Sequence, residues 1–223
     1  MSVLLLRLAG PMQSWGVQSD FGVRDTGLEP SKSGVVGLLC AALGRARGEA
    51  VDDLAALRMG ARVDQEGRLL SDYHTAMNVW RARGGIKPTE VSRRYYLADA
   101  RFLVGLEGED TDLLARLHAA LRDPRWPLYL GRKAFVPGEP VWLENGLWLE
   151  SGLRQAFERY PWLGRDPGRY PERVRWVIEE PAGSEVRPDQ PLSFAERRFA
   201  PRRLETEFAG PPPIEEARCT CHV

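Results

Sequence analysis

Between Asp72 and Arg101 the chain interleaves cations with aromatic rings: Asp72-Tyr73-His74-Thr75, then Trp80, Arg81, Arg83, Gly84, Gly85, Lys87, Arg93, Arg94, Tyr95 and Tyr96. From Arg81 to Arg101 six basic residues stand against two acidic ones, Glu90 and Asp99, a local charge of +4 in a chain that is formally neutral. Cations pair with phosphates, flat rings stack on bases, and Gly84-Gly85 lets the backbone bend, so the stretch has what a single-stranded nucleic-acid surface needs. A solvated, arginine-rich hairpin has the same composition. On these residues alone both readings stay open.

Other residue types extend the same chemistry. Candidate phosphate binders are Arg24, Lys32, Arg81, Arg83, Lys87, Arg93, Arg94, Arg132 and Lys133, and each such contact adds affinity that falls with salt. Ser33 lies in the first turn of a helix whose free amides, beside Lys32 and Arg24, form a natural phosphate seat. An ordinary capped helix over a sheet accounts for the same residues. Gly131, next to Arg132, would let a backbone amide approach a phosphate. Trp15, Tyr73, His74, Trp80 and Tyr129 are candidates for base stacking, with burial in the core as the competing use. Cys219-x-Cys221-His222 offers three soft ligands, but zinc usually takes four and the chain has no partner Cys-x-x-Cys, so neither metal nor cofactor is expected.

These residues must be held by a scaffold whose elements are legible in part. Val3 to Leu8 is a continuous apolar run of strand length, as for a strand covered on both faces. Ser31 caps a helix with Val35, Leu38, Leu39, Ala42 and Leu43 on one face, ended by Gly44 or Gly48. Ala61-Arg62-Val63 reads as a second strand, and the alternation from Tyr96 to Leu106 as a third with one apolar face. Asp110 or Thr111 caps a second helix carrying Leu113, Leu114, Leu117, Ala120 and Leu121, with His118 an exposed structural residue in it, and Leu128-Tyr129-Leu130 supplies a fourth strand. The order strand, helix, strand, strand, helix, strand is that of an α+β, ferredoxin-like (RRM-like) domain over residues 1–135. The basic stretch, about residues 74–95, is then a long insertion between its second and third strands, and such excursions are commonly functional.

Beyond Phe135 the composition shifts: 12 of the 17 prolines lie between Pro137 and Pro213, and helical periodicity fades. Arg173 to Ile178 and Arg203 to Phe208 alternate as strands, so residues 136–210 are expected to form a smaller, mostly β domain, with residues 211–223 a disordered tail. The 31 basic and 31 acidic residues exclude a general polyanion binder and require local clustering for any nucleic-acid role. Of the bases 28 are Arg, a bias that suits phosphate recognition but also follows from a GC-rich genome. No apolar stretch reaches the roughly 20 residues that span a bilayer, and three scattered cysteines make no disulfide framework, so a cytoplasmic location is expected.

Four blocks carry a specific resemblance: Leu6-Arg7-Leu8-Ala9-Gly10-Pro11-Met12-Gln13-Ser14-Trp15-Gly16, Ser33-Gly34-Val35-Val36-Gly37-Leu38-Leu39, Asp72-Tyr73-His74-Thr75, and Tyr129-Leu130-Gly131-Arg132. In these blocks and their order the chain closely resembles the CasD family, RAMP-type subunits of the type I-E CRISPR surveillance complex, Cascade. The resemblance implies a non-catalytic subunit that binds and caps the 5′ handle of the CRISPR RNA. It also implies a hetero-oligomer in which a thumb-like excursion meets the neighbouring backbone subunit, with the large subunit as a further partner. An enzymatic alternative comes from the same relationship, since a related subunit of the type I-C system cuts the CRISPR RNA precursor. Metal-independent cleavage needs a base and an acid, and Tyr73, His74 and Lys87 are the available set.

Overall fold

The computed structural model describes residues 1–18 and 22–214. Phe21, most of the expected tail and the Cys219, Cys221, His222 cluster lie outside the described residues. The elements follow in the order β1 (Ser2–Ala9), β2 (Met12–Gln13), β3 (Val23–Arg24), α1 (Lys32–Leu43), α2 (Asp52–Ala55), β4 (Arg58–Gln65), β5 (Arg68–Trp80), β6 (Ile86–Ala98), β7 (Arg101–Gly108), α3 (Thr111–Arg122), β8 (Leu147–Trp148), α4 (Leu153–Arg159), β9 (Val174–Glu179), β10 (Glu185–Ser193) and β11 (Arg198–Ala209).

One antiparallel sheet has the strand order β10-β11-β9-β4-β7-β1-β8. At its centre β1 and β7 pair along their whole length, from Ser2 opposite Gly108 to Ala9 opposite Arg101. The unbroken apolar run of β1 has a direct cause in the layers around it. Leu4, Leu6 and Leu8 pack into the cluster that contains Val35 and Leu39 of α1 and Leu114 and Leu117 of α3. Val3 and Leu5 belong to a second cluster with Leu153 and Phe157 of α4 and Trp176 of β9. Each such fully buried side chain contributes on the order of 1.5–3 kcal/mol, which is why these strands form the rigid base of the molecule.

The helix ends are set where side-chain chemistry sets them. Ser31 Oγ accepts from the Gly34 amide at the start of α1, and Gly44, in the left-handed conformation, ends it. Asp110 caps α3 by accepting from the Leu113 amide. Two strand expectations need correction. The alternating run from Tyr96 to Leu106 is not one strand: Asp99, at φ 57°, turns the chain from β6 in one sheet to β7 in the other. Leu128-Tyr129-Leu130 is not a strand, because the Leu130 amide donates to Phe135 O while its carbonyl accepts from Ser14 N. The strand that flanks β1 is instead β8, two residues long. The sheet runs on past the expected boundary at residue 135, since β9 pairs directly with β4 and carries β11 and β10 with it. A helix, α4, lies in the segment expected to be mostly β, with Leu153, Ala156 and Phe157 at helical spacing on its buried face.

The second sheet is built on β6. Its partner β5 runs antiparallel from Arg68 opposite Ala98 to Trp80 opposite Ile86, making a ribbon of two 13-residue strands. On the other side of β6 lie β2, through Met12 opposite Ala98, and β3, parallel, through Arg24 opposite Arg94. The ribbon closes at residues 81–85, where the Arg81 amide donates to Gly85 O and Gly84 and Gly85 take φ values of 87° and 84°. Those values explain the Gly-Gly pair, since side chains resist the left-handed region.

Candidate nucleic-acid interface

Alternation along the ribbon sorts its side chains. Asp72 and His74 on β5 share a face with Arg94 and Tyr96 on β6, whereas Tyr73 and Arg93 point to the opposite face. The parallel pairing of β3 puts Arg24 beside Arg94. From the other side, the segment after Leu130 brings Arg132 into the same place, where its guanidinium donates to the Arg24 carbonyl at 3.2 Å. Asp72, His74, Arg94, Tyr96, Arg24 and Arg132, with Met12, Lys133 and Phe135, line a groove of about 740 Å³.

Gly131 sets up this arrangement. At φ 92° it needs a residue without Cβ, and a Cβ there would lie 1.8 Å from the Ser14 carbonyl oxygen. The turn therefore passes tightly under the chain and delivers Arg132, whose guanidinium lies over Phe135 at 5.5 Å. Burial, and then the neighbouring charges of Arg94 and Arg24, push the Arg132 guanidinium below its ordinary pKa, with Asp25 and Asp72 offsetting part of this. Among the described residues no ion pair engages Arg24, Arg94 or Arg132. Three like charges held together without a paired counterion raise one another's energy, and an anion between them relieves it.

Several other arginines are ion-paired. In a cleft of about 570 Å³ beside Gly10, Arg68 pairs with Asp99, Arg101 and Arg165 with Glu139, and Arg169 with Asp166. Neutrality of the whole chain thus coexists with a groove whose cations are not ion-paired.

Two expected contact residues turn inward. Lys32 is 1% exposed, its ammonium 2.8 Å from Glu179 and 3.0 Å from Gln190, and its amide donates to Asp189, so neither charge nor first-turn amide faces an incoming phosphate. Trp15 is 1% exposed, packed on Gly34, with its indole N–H donating to Gln13 Oε1. Gln13, itself buried, donates to the carbonyls of Leu8 and Ala100. The Gln-Ser-Trp block therefore knits β1 to the junction of β6 and β7 and does not present a ring to bases. Arg81, Arg83 and Arg93 are exposed on the ribbon, and Lys87 there pairs with Glu90. Ser33, Gly131 and Lys133 line the groove or its continuation.

The proposed acid–base set does not converge. His74 faces the groove with Asp72 3.8 Å away, Tyr73 is on the other face, and Lys87 sits opposite Val79, far along the ribbon. His118 is half-buried and not exposed, its Nε2 contacting the Leu143 carbonyl at 2.8 Å. Among the described residues no cluster of His, Cys, Asp and Glu is placed to hold a metal ion, and no helix is long and apolar enough to cross a membrane. Sequence reasoning missed Arg47, Arg197 and Phe199, which line the groove's continuation past Arg24 and Arg132. No local pattern marks them, since they come together from segments about 150 residues apart.

A mixed α/β chain dominated by antiparallel sheets, with this groove between the sheet built on β6 and the segment after Leu130, belongs to the family of the CRISPR-associated protein (Cas_Cas5), whose model matches residues 3–205. Within that family it is similar to the CRISPR system Cascade subunit CasD of Escherichia coli (strain K12), at 35% identity over 184 residues, covering 74% of this chain and 80% of that protein. Among solved structures it matches one described as the crystal structure of a Cas protein, with TM-score 0.79 and 48% identity over 96% of this chain and 98% of that one. A chain of a CRISPR RNA-guided surveillance complex matches with TM-score 0.77 and 35% identity, over 94% of this chain and 91% of the other.

Proposed function

We propose that this protein is the RNA-binding, non-catalytic CasD subunit of a Cascade-type surveillance complex, and that it binds and caps the 5′ handle of the CRISPR RNA. The observation that carries this reading is the trio Arg24, Arg94 and Arg132, gathered around one groove with no ion-pair partner among the described residues. Phosphates of a splayed single strand supply the missing counter-charge, and Tyr96 and Phe135 beside them offer ring surface. In this reading strands β8-β1-β7-β4, with α1 and α3 on one face, are a ferredoxin-like core. The ribbon is its thumb, inserted between the second and third core strands and directed at the backbone subunit. Its exposed Tyr73, Met77, Trp80 and Ile86 support that assignment, since uncovered apolar surface of this size marks a contact with a partner. The large subunit is the further neighbour.

Sequencing the RNA that co-purifies with the tagged protein tests the proposal. One RNA of defined length with a shared 5′ sequence is expected, and Arg24→Gln with Arg132→Gln should deplete it by about tenfold or more. A nucleic-acid-free protein that joins no other subunit overturns the reading.

A further inference from the structure

The groove does not end at Arg132. Past Arg24 and Arg132 it opens into a second depression of about 500 Å³, one wall of which is the turn between β10 and β11. Phe194 on that turn packs over Gly37 of α1, and Phe199 meets it edge-to-face at 6.4 Å between centroids. Phe194 is thus an anchor, while Phe199 stays 42% exposed with ring surface open to the depression. Arg47, after α1, donates from Nε to the Phe194 carbonyl at 2.9 Å and ties the turn down. Arg197, at φ 54°, sits at the bend. Neither Arg47 nor Arg197 is engaged in an ion pair among the described residues, although Arg198 next door pairs with Glu196.

We infer that Arg47, Arg197 and Phe199 form a separate subsite for one unpaired nucleotide, its phosphate held by the two guanidiniums and its base laid on Phe199. Open ring and unpaired cations side by side suit a base and its phosphate together; an acidic peptide would use only the charges. The inference rests on the groove being an RNA site, and it assigns to the C-terminal third of the chain a direct share in holding the strand. It also gives the buried ties between α1 and β10 a purpose, because they hold the strand that leads into this turn against the start of α1.

Binding of fluorescein-labelled single-stranded RNA of the co-purified 5′ sequence to the full chain, titrated at several salt concentrations, provides the test. Arg47→Gln, which keeps a donor for Phe194, combined with Arg197→Asn, which tolerates the left-handed backbone, should lower the slope of log affinity against log salt by about 0.7 for every phosphate no longer neutralised. Phe199→Ala should weaken binding by roughly 5- to 150-fold, the range for removing one stack, with the slope unchanged. Removing one nucleotide at a time from either end of the RNA should reach a length at which these variants bind like the unsubstituted protein. If Arg24→Gln weakens binding while the Arg47, Arg197 and Phe199 variants, folded by their melting curves, do not, the subsite is overturned and the groove reading stands. If the unsubstituted chain binds no RNA, both fall. Loss of partner-subunit binding with RNA affinity intact would make the turn a protein-binding surface and also overturn the subsite.

Discussion

Lys32 shows how a single residue can carry the right charge in the wrong direction. Its place in the first turn of a capped helix suggests a phosphate seat, but Glu179, 147 residues later, returns to within 2.8 Å of its ammonium. Burial pushes the Lys32 pKa down, and Glu179 restores part of the loss. Arg202 adds a second cation, holding Asp189 through two bonds of 2.6 and 2.9 Å, and Asp189 in turn accepts from the Lys32 amide. Lys32→Met should therefore cost about 3 kcal/mol in urea unfolding, the low end for a broken buried pair because Glu179 keeps Arg202 as a neighbour. The same variant should leave the salt slope of RNA binding unchanged, and a reduced slope would restore Lys32 to the interface. Gly131→Ala makes the complementary case, because a methyl group there would overlap the Ser14 carbonyl at an already left-handed φ. Its melting temperature should fall by several degrees, corresponding to roughly 1–3 kcal/mol, and RNA affinity should fall with it because Arg132 is displaced.

At the scale of elements the ribbon is the most independent part of the chain. Its outer half buries little: Met77, Trp80 and Ile86 are among the most exposed apolar residues. Replacing residues 76–90 by Asn-Gly closes the Thr75–Val91 pair with a favoured two-residue turn. The shortened protein should melt within a few degrees of the full chain yet lose the other subunits on affinity purification. Retention of those subunits would show that the ribbon is not a docking element. That the chain can bend at Gly84-Gly85 was legible from the glycine pair itself. Caps were legible in the same way, Ser31 outright and Gly44 and Asp110 each as one of two candidates, since a cap acts within four residues of itself. The short strand beside β1 was not legible, because Leu147 and Trp148 are paired by β1 and carry no pattern of their own. The apolar triplet Leu128-Tyr129-Leu130 attracted a strand assignment, and Leu130 is fully buried, but its backbone bonds go to Phe135 and Ser14. For the groove, β3 beside β6 and the Arg47–Phe194 contact are products of long-range pairing, which no local window contains.

Across the whole molecule, charge is divided between arginines that hold the fold and arginines left available to a ligand, and the two groups respond differently to pH and salt. Glu139 belongs to the first group. It pairs with Arg7 at 3.1 Å, with Arg165 at 3.4 Å and with Arg101, joining β1, β7 and the segment after α4. Burial raises its pKa, but the hydrogen bond and charge of Arg101, helped by Arg7 and Arg165, reverse this and leave it below the usual carboxylate range. Asp53, through its bond to Arg45, and Glu207, through Arg154, are likewise held low. A carboxylate whose pKa is depressed by folding contributes stability that is present above its unfolded value, about 4 for these groups, and lost as pH falls through the folded one. Urea midpoints should therefore stay level from about pH 8 to about pH 5 and fall below about pH 4. Glu139→Gln should lower the midpoint at pH 7 and flatten the acid limb, the two curves meeting where Glu139 is protonated in both states. Parallel curves down to about pH 2 would show that Glu139 stabilises by packing and not by charge. RNA affinity measured at pH 7 and raised salt should weaken with salt while the urea midpoint changes little, because RNA phosphates on the groove cations compete with solvent ions whereas the structural arginines are held by close carboxylates within the fold.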